Sequence, residues 1–482
     1  MYESNAVTRD VAPGNTLLGL LQRGRGDGAV HALAAGRAEA LSALDRCVSR
    51  DPRADWRLES RSLYYARLYT ELEAGLDGIA GHLFCPADSA EPHEERTGLA
   101  LSVLGHLARY GRRDAADLLR RYVAGGANWT WALDELADGA DEDALRALLP
   151  AVHQRVADGP DGDRELAEAV RRSWEGGPWR LWATHDERVR RAVEQLPFER
   201  WRRQLSPEGP AGCATTAEVL HWAARPANPD QAATPAAEPY RRAAAAARRL
   251  TAVATTADLP ALLDAAATAP PAARAAALLH LAAAVRAFPE RLPAVLDAVE
   301  QAAACPDRTV STAAVDAVGR LPGAPSLDRA RAWAQRRDAL GTAAACLLAD
   351  HGTEADAAVL LDALQHHLLD PDARGTTLAR LVEGTGRLAV TSAVPLLRHV
   401  YRETTCSHLR GRAAEALAAT DPDFATGTAV ECLWDCEEAT RELGARHAPT
   451  RRAGVLERLR RLLADPMEEA EVHAAVLGRL SA

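Results

Sequence analysis

The chain has 482 residues, 48% of them hydrophobic and only 5% aromatic, and a formal net charge of −10. That length exceeds what a single globular core fills, so several domains or one extended repeat array are expected. The negative balance opposes general attraction to nucleic acid or anionic lipid. All 57 basic residues are arginine, which excludes a Schiff-base lysine and a P-loop lysine.

An interior made mostly of Ala, Leu and Val, with a single isoleucine at Ile79, suits close helix-on-helix packing and gives β-sheets little of what they favour. No N-terminal apolar signal region and no run of ~18 apolar residues is present, so neither secretion nor a membrane partner is expected. The eight cysteines are scattered rather than clustered in a small framework, and read as reduced thiols of a cytoplasmic protein.

In chain order, residues 1–30 are Gly-rich (APGN, RGRGDG) and read as a loosely held, irregular arm. With the helices expected near 36–49, 57–73 and 75–83 they make a head, 1–96. Leu58, Ser62, Tyr65, Leu68, Tyr69 and Leu72 form a stripe at helical spacing, either core packing or an exposed aromatic anchor. Helical pairs follow over 97–205: 97–110, 113–124, 129–137, 141–157, 164–174 and 185–196. Residues 206–240 hold Pro207, Pro210, Pro226, Pro229, Pro235 and Pro239 around a short helix near 215–224, the pattern of a linker or hinge. Regular helices resume over 241–482. Acidic residues concentrate in 134–165 and arginines in 171–203, a segregation typical of solvated helix faces.

The C-terminal part repeats itself. A small residue four before an apolar one recurs as Ala314/Val318, Ala344/Leu348, Thr377/Leu381 and Ala413/Leu417, at steps of 30, 33 and 36 residues between the second members. That period is one helical hairpin with its turns, and small crossing residues let neighbouring helices approach closely. Similar pairs are Val103/Leu107, Ala132/Leu136 and Ala192/Leu196. Asp-Pro recurs at Asp51-Pro52, Asp370-Pro371, Asp421-Pro422 and Asp465-Pro466 as punctuation between helices, Asp as a cap and Pro in a first turn. Residues 387–401, 407–420 and 423–436 read as three successive helices, with Leu409, Ala413, Ala416 and Leu417 on one face of the second and Gly411 and Glu415 on the other.

The segments DRTVSTAAVDAVGRLPG, RDALGTAAACLLADHG and HLRGRAAEALAATDPD resemble the inner helix of HEAT-like repeats, in the short form also found in phycobilin lyases, over about 97–205 and 250–480. The whole is similar to HEAT-repeat proteins of high-GC bacteria. The resemblance implies an all-α HEAT-like solenoid of antiparallel hairpins, a protein-binding scaffold with no cofactor and no established reaction.

The richest stretch is 398–447. Arg398, Tyr401, Arg402, His408, Arg410, Arg412, Trp434 and Arg441 offer bidentate cations and aromatic anchors suited to an acidic or phosphorylated segment of another protein. Arg410 and Arg412 are expected toward the polar side of their helix. Cys406, His408, Cys432 and Cys436 would meet at one hairpin end if both helices are continuous, a conceivable zinc set with non-standard spacing; buried small cysteines are the commoner outcome. NWTWALDELAD, with Trp129, Trp131 and Asp134, is similar to HEAT-like alkylpurine DNA glycosylases without matching their spacing. An enzyme acting on DNA or a chromophore is therefore the alternative to the scaffold. Trp174, Trp179, Trp182 and Trp201 interleave with arginines, which suits packing or base stacking.

Overall fold

The structure is a computed structural model that describes residues 11–51, 60–86, 94–138, 140–173, 178–194, 212–225, 238–369 and 375–481. Every regular element among the described residues is a helix, and none is a strand. None of their helices is long and apolar enough to cross a membrane. Two compact units are formed. One joins Met1–Trp201 to Arg398–Ala482, and the other is Arg202–Leu397.

In the second unit two rows of helices alternate along the chain. The first row is Glu238–Val253, Pro271–Ala284, Arg308–Val318, Ala339–His351 and Gly375–Arg387, each packed on the next. The other row is Leu259–Thr268, Leu292–Ala303, Gly323–Trp333 and Ala357–Leu369. This is the stacked-hairpin solenoid the repeat period predicts. Small residues set the spacing of the first row: Ala243, Ala246, Ala276, Ala313, Ala314 and Ala344 have no exposed surface. A Cβ built on Gly384 would lie 2.4 Å from the Cβ of Ala349, so those two helices touch at a glycine. Aspartates start the helices. Asp307 accepts from the Thr309 and Val310 amides, and Asp338 from the Gly341 amide, which satisfies N–H groups that have no partner inside the helix.

Most members of the repeat pairs read from sequence are core residues, whereas Thr377 and Leu136 are half-buried. Ala314, Val318, Ala344, Leu348, Leu381, Ala413, Leu417, Val103, Leu107 and Ala132 are all at 0% exposure. Leu196 and the proline-rich stretch 226–237 lie outside the described residues.

The first unit begins with the segment expected to be a loose arm, and there the structure differs. Residues 17–34 hold two helices, Leu17–Gln22 and Gly26–Ala34, and the turn between them is buried from Leu20 to Gly26. Thr16 caps the first helix through its side chain. Helices Arg37–Ser49, Arg61–Glu71 and Asp77–Leu83 complete the head, and its aromatic stripe is core: Tyr65 and Tyr69 are fully buried. Glu94–Arg109, Arg113–Gly125, Trp129–Ala137, Glu142–Arg155, Pro160–Arg172 and Glu187–Glu194 follow as stacked hairpins. At the other end of the chain Ser407–Thr420, Glu438–His447 and Ala470–Leu480 pack successively.

Two of the three helices expected over 387–436 are cut differently. Arg387 ends one helix, Ala389 takes a left-handed φ of 48°, and the next helix starts only at Val394, with Pro395 in its first turn. Beyond Asp421 a 3-10 turn, Phe424–Thr426, precedes a short helix, Thr428–Cys432, because Gly427 at φ −115° and ψ −93° interrupts the run. On Ser407–Thr420 the expected apolar face is buried and Glu415 is exposed, but Gly411 is buried as well, against Thr440.

Gly384→Ala is expected to lower stability by ~1–3 kcal/mol through overpacking, and Leu417→Ala by ~2–5 kcal/mol through the cavity it leaves. Urea denaturation followed by far-UV circular dichroism measures both. A neutral Gly384→Ala would contradict the close approach at Ala349.

Candidate functional site

The turn Leu433–Glu437, between Thr428–Cys432 and Glu438–His447, gathers the densest polar network of the first unit. Arg410, fully buried on the first turn of Ser407–Thr420, donates from Nε to Asp435 Oδ2 at 2.7 Å and from an Nη to Asp435 Oδ1 at 2.9 Å. Arg441, one repeat later, does the same to Glu468 at 2.9 and 2.6 Å, and its other Nη donates to the carbonyls of Asp435 and Cys436 at 2.9 and 2.6 Å. Each arginine thus reaches the loop that leads into the next helix of its row. Burial alone would raise the Glu468 carboxyl, but the hydrogen bonds and charge of Arg441, with Arg67, hold it below its usual value.

Residues near the N-terminus complete this network. Arg67 donates to Asp465 at 2.8 Å and to Glu468 at 3.1 Å, and Tyr110 donates to Asp465 at 2.9 Å. Arg458 donates to the Leu433 carbonyl at 3.1 Å and to Glu71 at 3.3 Å, lies 5.3 Å from the Trp434 ring centroid, and is lowered to about 10 by burial. Arg61 donates to the carbonyls of Gln22 at 2.7 Å and Thr405 at 3.3 Å. Arg25 grips Glu431 at 3.0 and 3.2 Å. Burial pushes the Glu431 carboxyl up to about 7, an effect that Arg25 only partly offsets.

Gly24 sits at the centre with φ +64°, in the left-handed region that favours glycine. Its carbonyl accepts from the Cys436 amide at 3.0 Å and from Arg410 at 3.3 Å, and a Cβ there would lie 2.3 Å from Arg61. Sequence reasoning missed Arg25, Arg61, Arg67 and Glu431. The available signal was RGRGDG, arginines alternating with glycines, which was read as irregularity.

The eight residues singled out between 398 and 441 divide by exposure. Arg402 and Arg412 are exposed, and the side chains of His408 and Arg398 are 53% and 41% exposed. His408 Nδ1 lies 3.0 Å from Glu437, and Arg398 binds Asp421 at 2.7 and 2.9 Å. Trp434 is half-buried under Arg458. Tyr401 and Arg441 are buried, and Arg410, expected near the polar margin, is fully buried instead because its helix turns that position into the adjoining loop.

Cys406, His408, Cys432 and Cys436 are not gathered into a metal-binding set; among the described residues no group of three or more His, Cys, Asp or Glu is. The expected geometry needed a helix through Cys436, and that helix stops at Cys432. Cys432 Sγ faces the Tyr401 hydroxyl at 3.6 Å, whereas Cys436 Sγ faces Arg410 at 3.3 Å.

The tryptophan cluster is a packing core. Trp129 meets Trp179 edge-on at 6.4 Å, and Trp179 meets Trp182 at 5.2 Å. Asp134 accepts from Ser173 at 3.1 Å. Trp174 and Trp201 lie outside the described residues. The segregated charges meet each other, Arg188 binding Asp163 at 2.7 Å and Asp158 at 3.4 Å. One Ser–His pair stands out: Ser62 Oγ is 2.9 Å from His106 Nε2, but Arg109 donates to His106 Nδ1 at 2.8 Å. An arginine only donates, so Nδ1 is the bare nitrogen, Nε2 carries the proton, and Ser62 accepts. Burial, with Arg109 and Arg67, lowers His106 to about 3, so it is no base for that serine.

Removing one partner of a buried ion pair strands the other. Arg410→Ala should therefore cost ~3–5 kcal/mol, and Arg410→Met with Asp435→Leu should cost less than the single change, as guanidinium denaturation would show. Glu431 gives a pH signature. Its folded value lies above the usual 4.5, so its contribution is present below that value and is lost as pH rises through about 7. Relative to Glu431→Gln, the natural protein should lose on the order of 1–3 kcal/mol between pH 5 and 8. Parallel pH dependences in the two proteins would refute the burial of that carboxyl.

No family model matches the chain, and no curated protein matches it. Among solved structures it is similar to Kap121p, with 11% identity over 96% of this chain and 53% of that one and a TM-score of 0.32. A multiply substituted Kap121p is similar at 13% identity and a TM-score of 0.34, over 96% and 53%. The karyopherin Kap121p bound to the extreme C-terminus of the protein phosphatase Cdc14p is similar at 12% identity and 0.32, over 99% and 55%. The chain spans about half the length of these structures.

Proposed function

We propose that this chain is a non-catalytic scaffold of the cytoplasm that binds another protein through the exposed polar surface of its stacked helices. The observation that carries this reading is the row of successive helices from Glu238 to Arg387, each packed on its neighbour with small residues inside and charged residues outside. Such stacking gives one continuous surface over several helices, the form of site that helical solenoids offer a long or extended ligand. In the other unit the exposed members of the 398–441 group supply the chemistry. Arg402 and Arg412, with His408 and Arg398 at the margin, suit an acidic or phosphorylated segment. Arg410, Arg441 and Tyr401 are buried, which supports a role for them in the fold.

The test separates these two groups. Arg402→Glu with Arg412→Glu should leave the circular dichroism spectrum and melting temperature close to the natural values while weakening a co-purified acidic partner at least about ten-fold, most clearly at low salt. Arg410→Glu should instead unfold the unit. A double variant that folds and holds the partner undiminished would place the binding surface elsewhere.

A further inference from the structure

Arg458, on the helix Ala453–Ala464, is 7% exposed and poorly served. Arg410 and Arg441 each hold a carboxylate through two hydrogen bonds. Arg458 instead donates from Nε to the Leu433 carbonyl at 3.1 Å and from Nη1 to one oxygen of Glu71 at 3.3 Å, while the other oxygen of Glu71 lies 3.5 Å from Arg461. Its Nη2 makes no hydrogen bond among the described residues and keeps some surface open. Burial, joined by the charges of Arg67 and Arg441, lowers Arg458, and Glu71 and Glu468 recover only part of the loss. Arg25 and Arg67, buried in the same unit, are raised, because their carboxylates outweigh burial.

The unmet donor borders a space. Tyr64, Leu68, Glu71, Trp434 and Arg458 line a narrow cleft of about 10 Å³, shared by Leu33, which is 38% exposed, so the cleft is reached from solvent. That volume holds one guest about the size of a water molecule. Leu68 and Trp434 give it apolar walls. Asp435 borders it as well, with both oxygens engaged by Arg410. Neither bordering carboxylate therefore completes the shell of Arg458.

We propose that this cleft binds one small monovalent anion of chloride size on Arg458 Nη2. The inference goes beyond the scaffold reading and does not rest on it. An anion adds what a water cannot: opposite charge beside a guanidinium that burial has stripped of solvent, where a low dielectric enlarges the attraction. Glu71 is then a competitor, since it holds the same guanidinium and repels the guest. Removing its charge should strengthen binding.

Broadening of the chloride NMR signal, in a sodium chloride titration of the full chain, reads the site. The natural chain should broaden the signal saturably. Sodium bromide should reverse the broadening, and sodium gluconate at the same concentration should not, because its anion is too large for the space. Arg458→Gln should remove most of the bromide-sensitive broadening, and Arg460→Gln, at an exposed arginine of the same helix, should leave it unchanged. Glu71→Gln should lower the titration midpoint about five-fold or more. Circular dichroism checks the fold of each variant; should Arg458→Gln not fold, the sign of the Glu71→Gln effect decides alone. Broadening that gluconate reverses as well as bromide does overturns the proposal. So does broadening that persists in folded Arg458→Gln, or a midpoint that Glu71→Gln leaves unchanged or raises; the cleft would then hold water only.

Discussion

A guanidinium cannot be left unpaired in an apolar interior, and this chain buries several of them. Arg61, Arg410 and Arg441 are among its largest fully buried side chains. Arginine stays charged when buried, so each must find acceptors in a fixed planar geometry. Arg410 and Arg441 each find one carboxylate plus backbone carbonyls, and Arg61 donates to backbone carbonyls. That demand shapes the turn Leu433–Glu437, where the Asp435 side chain serves Arg410 while the carbonyls of Asp435 and Cys436 serve Arg441. One short turn thereby fixes the register of two successive helices. The same demand reaches back to Gly24, whose carbonyl also accepts from Arg410.

The other unit solves the packing problem differently. Its helices meet through alanines and glycines, and its ion pairs lie near the surface: Arg329 with Asp297 and Glu300, Arg337 with Asp362, Arg380 with Asp350. Such exposed pairs contribute roughly 0–1 kcal/mol each, so close apolar contact carries the stability there and the charges tune alignment. Arg331 with Asp356 is intermediate, because that aspartate is 2% exposed and also accepts from the Thr353 amide at the start of the next helix. Burial and the cost of ionic contacts thus trade places between the units within one helical architecture.

Much of this architecture was legible in the sequence. The small-then-apolar pairs mark true crossings because a 3.6-residue period and a requirement for closeness both constrain residue type. The candidate site was legible only in composition. Arg410 and Arg412 sit two apart on one helix and share residue type, yet one is fully buried and the other exposed. Periodicity says which face is apolar, and a buried arginine on that face breaks the pattern unless its partner is known. Asp435 is 25 residues away and Gly24 is 386, beyond any local rule. The helix break at Gly427 was equally hidden, since glycine is tolerated inside many helices, and so was the stop at Cys432 that leaves Cys436 in a turn.

The distances in sequence also order the assembly of the first unit. Neighbouring hairpins such as Ser407–Thr420 and Glu438–His447 can form as soon as both are synthesised, because the loop to be closed is short. Contacts such as Arg67 with Glu468, separated by 401 residues, need the whole chain. Loop-closure entropy grows only logarithmically, about 0.6 kcal/mol per doubling, so the cost of joining the ends is modest once the intervening helices are folded and the effective loop is shortened. Asp435 and Glu468 have partners within the C-terminal helices themselves, Arg410 and Arg441. The pairs Arg410–Asp435 and Arg441–Glu468 thus need no residue of the N-terminal segment. Arg67 then meets a carboxylate that Arg441 already holds, which makes this part of the closure a docking of prepared surfaces.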